Sequence, residues 1–210
     1  MKITMKILTG YKIIFWDFDG VILDSVSIRD QGYWHALKNH QKEHIEKLIR
    51  YQQLNGGISR YVKFRYFYEE ILGKEISEDQ VNRYAKSFSE YMVQRLTNRN
   101  LIIDETIHFI KNHYESIPMH IVSGSDQEEL RFLCKELGIA HFFKSIHGSP
   151  TPKTELVKQI ISRKKYNPEH AVLIGDSIND YDAARLNGVT FYGYNNPDLK
   201  EKVEHYIHEF

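Results

Sequence analysis

Four apolar residues, Ile13-Ile14-Phe15-Trp16, run straight into Asp17-Phe18-Asp19-Gly20, and this junction constrains the fold more than any other stretch. A run so short and apolar at every position predicts a strand buried on both faces, the kind found in parallel sheets. Side chains alternate along an extended chain, so Asp17 and Asp19 point to one side at the strand's carboxyl end, where open α/β sheets place their ligands. Two carboxylates a few ångströms apart raise each other's pKa, and a hard divalent cation with oxygen ligands would relieve the repulsion. Gly20 lets the backbone turn sharply and approach a ligand closely. D-x-D-G alone is also an ordinary Asp-rich turn, so the reading depends on what the other strand ends carry.

Beyond this junction the pattern turns helical, tyrosine-rich and charged. Helices are expected over residues 27–39, 43–54, 59–72 and 78–96, broken at Asn55-Gly56-Gly57 and Gly73. Ser77, followed by Glu78 and Asp79, reads as an N-cap. In the third helix Tyr61, Phe64, Tyr68, Ile71 and Leu72 share an apolar stripe, while Lys63, Glu69 and Glu70 fall off it. His40 and His44 are four apart but lack an H-E-x-x-H context, and they are expected on a solvated face. From Leu101 onward helix and strand alternate: helices 104–115, 126–137, 153–164, 179–187 and 197–206, and strands 119–123, 145–147, 171–175 and 189–192. With strand 12–16 this predicts about five parallel strands in a doubly wound, Rossmann-like sheet carrying an inserted helical unit. The corresponding domains are an α/β core of residues 1–24 and 101–210 and a helical cap of residues 25–100.

Three further strand ends carry polar residues. The strand Met119-His120-Ile121-Val122 delivers Ser123, then Gly124, to what reads as a helix start, where a hydroxyl and free N–H groups suit a phosphate oxygen or an N-cap equally well. Lys153 opens a helix after Pro150 and Pro152, a cation at the end of the helix dipole that favours anions. The strand Ala171-Val172-Leu173-Ile174 runs into Gly175-Asp176-Ser177-Ile178-Asn179-Asp180, which puts Asp180 one helical turn beyond Asp176 and on the same side. Asp182 points away and is expected at the surface.

An aspartate pair, a serine, a lysine and a second aspartate pair, each at a strand end and in this order, resemble the four motifs of the haloacid dehalogenase-like superfamily. The resemblance is to its phosphoglycolate phosphatase and β-phosphoglucomutase-like branch, in which a helical cap follows the first motif. It implies a magnesium-dependent phosphatase acting on a small phosphorylated metabolite, with Asp17 as nucleophile and Asp19 as general acid and base. It also implies Mg²⁺ held by the Asp17 carboxylate, the Asp19 carbonyl and Asp176, with Asp180 acting through water, and phosphoryl oxygens held by Ser123, Gly124 and Lys153. Gly57-Ile58-Ser59-Arg60 is similar to the Gly-Val-Ser-Arg segment of β-phosphoglucomutases, which implies that Arg60 meets a substrate phosphate or hydroxyl. Both prolines precede Lys153, where the family pattern has Lys-Pro-x-Pro, and Arg29 stands where those mutases have a hinge histidine. A phosphomutase and a catalytically silent protein on the same fold are the alternatives. Asp24 reads as a hinge or cap residue.

Composition excludes several other classes. Lys plus Arg and Asp plus Glu both number 28, so neither a nucleic-acid footprint nor attraction to an acidic membrane is expected. The lone Cys134, inside an amphipathic stretch, fits a packing role in a reducing cytoplasm, and no apolar run approaches the ~20 residues of a membrane span. Residues 1–10 read as a frayed extension or an edge strand, with Met5 as an alternative start. Both a monomer and a homodimer are compatible with the sequence.

Overall fold

The structure, a computed structural model, describes residues 7–210. Six parallel strands form one sheet: β1 (Ile13–Trp16), β2 (Met119–Asp126), β3 (Ser145–Ser149), β4 (Ala171–Gly175), β5 (Thr190–Tyr194) and β6 (Tyr206–Ile207), in spatial order β3-β2-β1-β4-β5-β6. The order reverses between β1 and β4, and in a doubly wound sheet the crevice at such a switch point receives the ligand. Trp16 is in register with Ile121 of β2 and Ile174 of β4, so the residues that leave these strands emerge side by side.

Alternation along β1 divides the apolar core. Ile14 and Trp16 face one cluster, with Met119, Ile121, Val172 and Ile174, while Ile13 and Phe15 face the other, with Val122, Leu156, Val157, Ala183 and Ala184. The second cluster is covered by α7 (Lys153–Lys164) and α8 (Ile178–Leu186). The first is covered by α5 (Asp104–His113), α6 (Gln127–Glu136) and the helical insertion, comprising α1 (Val26–Ala36), α2 (Lys42–Leu54), α3 (Arg60–Tyr66) and α4 (Glu78–Leu96). Cys134 lies fully buried in this cluster, a packing thiol. The chain enters and leaves the insertion side by side, since Asp24 N donates to Leu101 O (2.7 Å) and Ile103 N to Ile22 O (3.0 Å). Ser77 caps α4 with a full capping box to Gln80.

Several expectations need correction. Residues 197–206 are not a helix: Pro197–Leu199 make one 3₁₀ turn, and the chain then returns to pair Tyr206 with Gly193 and Ile207 with Tyr194 as a sixth strand. Docking of Leu199 against Gly193 and burial of Ile207 outweigh the local helical composition. The third helix closes in a π turn over Phe67–Ile71, with Leu72 N donating to Phe67 O. Its apolar stripe is core, but Lys63 is buried too. His40 is not on a solvated face, because Nε2 lies 3.2 Å from the hydroxyls of both Tyr68 and Tyr84 and the ring packs edge-on against Phe67. Residues 1–6 of the expected N-terminal extension lie outside the described residues, and Ile7 to Gly10 form a helical turn rather than an edge strand. Among the described residues no helix is long and apolar enough to cross a membrane.

Candidate active site

The carboxyl ends of β1 and β4 place Asp17 and Asp176 together, and α8 adds Asp180 from its first turn. Carboxylate oxygens of Asp17, Asp176 and Asp180 lie within 4.8 Å of one another. Gly20 adopts φ +76°, and a Cβ there would overlap the Asp176 carboxylate, so the turn requires glycine twice over. The loop after β5 ties both strand ends down: Asn195 Nδ2 donates to Gly20 O (2.8 Å) and Asn196 Nδ2 to Asp176 O (2.7 Å).

Lys153 answers part of this negative charge. Its ammonium lies 2.8 Å from Asp17 Oδ1 and pairs with Asp180 as well, which explains a lysine at a helix N-terminus: the side chain folds back into the carboxylates. Burial disfavours its charge, but Asp17 and Asp180 outweigh burial and hold the ammonium above its ordinary pKa. Asp180 also caps α8, accepting from Ser177 N (3.0 Å) and Ser177 Oγ (2.6 Å). Burial is the largest influence on Asp17, and with Asp180 and Asp19 nearby it outweighs Lys153 and pushes the carboxyl up to about 7. Asp176 is raised well above the ordinary range, first by burial and then by Asp17. A donor set of oxygens, too negative to stay fully ionised, fits a hard divalent cation.

Asp19 is held differently. Burial opposes its ionisation, but Arg29 and two serine hydroxyls prevail and keep it below the ordinary carboxylate range. Arg29 Nε lies 2.5 Å from Oδ1, Ser25 Oγ donates to Oδ1 (2.5 Å) and Ser125 Oγ to Oδ2 (2.6 Å). Ser25 precedes α1 but gives its hydroxyl to Asp19 rather than to the helix terminus. Ser123 is buried inside β2, its Oγ accepting from Ser125 N (3.1 Å). The helix starts where expected, at 126, but its N-cap is Asp126 rather than Ser123, its carboxylate accepting from Glu128 N and Glu129 N.

The helical insertion forms the opposite wall of a cavity of about 520 Å³. Arg60 lines it but is committed to Glu129 of α6, with Nη1 2.5 Å from Oε2 and Nη2 2.9 Å from Oε1. Its Nη1 also donates to Ser89 Oγ (2.6 Å), and its guanidinium lies 4.4 Å from the Phe88 ring centroid. Arg29 reaches the same Glu129 through Nη1 at 3.1 Å. Lys63 lines the cavity and donates to Gln52 Oε1. The loop before α3 sits on the strand ends: Asn179 Nδ2 donates to Gly56 O (2.5 Å), and a Cβ on Gly124 would overlap the Gly57 carbonyl. Asp24 lines the cavity mouth, exposed, and Asp182 lies at the surface beside Arg185.

Sequence reasoning missed Lys63, Glu129, Ser25 and Ser125, and knew Arg29 only as a departure from the mutase pattern. A family model described as haloacid dehalogenase-like hydrolase matches residues 13–194. The chain is a haloacid dehalogenase-like hydrolase. Solved structures agree on the fold of this hydrolase. A β-phosphoglucomutase from Clostridium difficile is 20% identical, with TM-score 0.73, covering 95% of this chain and 91% of its own. A protein described as a predicted phosphoglycolate phosphatase from Haemophilus somnus is 18% identical, with TM-score 0.72 and 95% of each chain covered. A HAD-hydrolase from Bacillus subtilis, solved bound to magnesium, is 18% identical, with TM-score 0.68 and 95% of each chain covered. No curated protein sequence matches significantly.

Proposed function

We propose that this hydrolase is a magnesium-dependent phosphatase of a small phosphorylated metabolite, working through an aspartyl-phosphate. The observation that carries the reading is Asp17: a carboxylate buried at a strand end, 2.8 Å from the Lys153 ammonium and facing Asp176 and Asp180. An oxygen of Asp17 attacks phosphorus and forms a P–O bond as the ester P–O bond breaks; Asp19, held ionised by Arg29 and two serine hydroxyls, takes the proton of a monoanionic phosphate ester as it binds and gives it to the leaving oxygen. Asp19 then takes a proton from water, whose oxygen attacks phosphorus and frees inorganic phosphate and the Asp17 carboxylate. Ser123 Oγ, the Gly124 N–H and Lys153 hold the phosphoryl oxygens, contacts of the kind worth several kcal/mol when aimed at developing charge.

Asp17, the Asp19 carbonyl, Asp176 and Asp180 would hold Mg²⁺. When bound, Mg²⁺ supplies the positive charge that lets a phosphate dianion approach these carboxylates. The helical insertion acts as the cap, excluding water and contacting the leaving group, while the core residues carry the chemistry. Packing of Gly57 on Gly124 and of Gly56 on Asn179 supports such a closing role. The test is a panel of phosphorylated metabolites assayed for magnesium-dependent phosphate release, with Asp17→Asn as the blank and products followed by phosphorus NMR. Accumulation of an isomeric phosphate ester instead of free phosphate would make the protein a mutase.

A further inference from the structure

Two asparagines reach from the loop after β5 to the strand ends that carry the acidic wall. Asn195 Nδ2 donates to Gly20 O (2.8 Å), beyond the end of β1, and Asn196 Nδ2 to Asp176 O (2.7 Å), beyond the end of β4. The register between those strands stops at Trp16 and Ile174, with Asp17 N donating to Ile174 O (2.9 Å). Past that point Asp17, Asp19 and Asp176 repel one another, and the Lys153 ammonium pairs with Asp17 and Asp180 but not with Asp176. The two amides therefore bridge, through a third element, strand ends that their own charges push apart. Both asparagines line the cavity, yet each spends an amide donor on a strand-end carbonyl.

The bridge is itself anchored. Tyr194, just before the pair, donates its hydroxyl to Glu105 Oε1 (2.6 Å) and packs edge-on against Phe210, while Leu199, just after it, is buried against Gly193. Asn196 Oδ1 accepts from Asp198 N (3.1 Å), so this one amide both starts the 3₁₀ turn and holds β4. Asn195 adopts φ +55°, a left-handed conformation costly for most side chains. Glycine would adopt it at less cost but brings no donor to Gly20 O. Such outer contacts matter for a metal because they fix the spacing of its ligands before it arrives. Mg²⁺ demands near-ideal geometry with bonds of about 2.1 Å, whereas Ca²⁺ accepts irregular geometry with bonds of about 2.4 Å. Strand ends that cannot spread therefore favour the smaller ion, and ends free to spread lose that preference.

We propose that Asn195 and Asn196 are positioning residues that fix the spacing of the β1 and β4 ends and thereby make the site select Mg²⁺ over Ca²⁺. The selection deepens the magnesium reading and rests on it. The asparagines touch neither the metal nor the phosphoryl group; they act through the backbone of Gly20 and Asp176.

Titration calorimetry of the metal-free protein with Mg²⁺ and, separately, with Ca²⁺ tests this without recourse to turnover. Wild type should bind Mg²⁺ more tightly than Ca²⁺. Asn195→Gly keeps the left-handed backbone and removes only the donor, and it should weaken Mg²⁺ binding by roughly 10-fold to 100-fold, as loss of an outer-shell contact does. Ca²⁺ binding should change by less than about threefold, because the larger ion tolerates the wider site. Asn196→Ser, which keeps a hydroxyl to accept from Asp198 N, should shift the two affinities in the same way and carries the test where Asn195→Gly fails to fold. Equal losses for both ions would make the pair a general support of the fold and overturn the selection, as would an unchanged Mg²⁺ affinity in the folded variants. Wild type that binds Mg²⁺ no more tightly than Ca²⁺ would overturn the selection while leaving the metal site standing. Folded wild type that binds neither ion would overturn the magnesium reading, and the selection with it.

Discussion

The two walls of the cavity are built from opposite charge. The strand ends bring Asp17, Asp19 and Asp176 to the cavity, with Lys153 and Asp180 buried behind Asp17, while the helical insertion brings Arg29, Arg60 and Lys63, the two arginines paired with Glu129. Each wall is unbalanced alone, and the imbalances are of opposite sign. Among the described residues, one ion pair crosses from the insertion to the acidic side of the site, Arg29 to Asp19. The acidic wall therefore has the charge to suit a cation, and the basic wall the charge to suit an anion.

Removing the cation should have the largest effect on this contrast. Exhaustive chelation should drop phosphate release by at least about a hundredfold, with recovery on adding Mg²⁺, because the acidic wall then repels its substrate. Full turnover after chelation would mean that Lys153 alone balances the site.

The contact between the walls comes next. Gly124→Val places a side chain where the Gly57 carbonyl lies, and should lower kcat/KM by roughly 10-fold to 100-fold by holding the walls apart. Steady-state kinetics of the folded variant, with circular dichroism unchanged, would show it; wild-type kinetics would rule out this approach as a requirement for turnover.

Glu129→Gln should destabilise the protein by about 3–5 kcal/mol, because it leaves Arg29 and Arg60 without their shared buried counter-ion. Urea denaturation measures it, and a change under about 1 kcal/mol would show that the basic wall finds another anion in the chain.

The smallest effect is a dependence on pH. The Asp17 carboxyl sits near 7 in the fold against 3.8 in the free residue, so its protonation favours the fold fully below 3.8 and that contribution is lost as pH rises through about 7. The stability of metal-free wild type relative to Asp17→Asn should therefore decline between pH 4 and 7, and Mg²⁺ should reverse the decline. A flat difference across that window would mean that Lys153 keeps Asp17 ionised throughout.

The acidic wall was legible in the sequence because each of its residues follows an apolar strand, and a parallel sheet brings strand ends together regardless of distance along the chain. Of the basic wall only Arg60 was legible, through the resemblance, because the other members meet through packing between separate helices. Glu129 looks like a residue matched to the dipole of α6, and its two arginines are 69 and 100 positions away. Lys63 left a readable trace: it lies three residues after Arg60, hence on the same face of α3, beside Phe64. The stretch 197–206 misled because its charges and Pro197 suit a helix start, whereas pairing with β5 decided its conformation.

The central claim is that Asp17 is the covalent nucleophile, and phosphate release by Asp17→Asn with saturating Mg²⁺ tests it most directly. The amide is a poor nucleophile and removes one charge from a crowded site, so the variant should fold and release phosphate at less than about a hundredth of the wild-type kcat. A folded variant that turns over faster than that would contradict the aspartyl-phosphate and assign the chemistry to another residue.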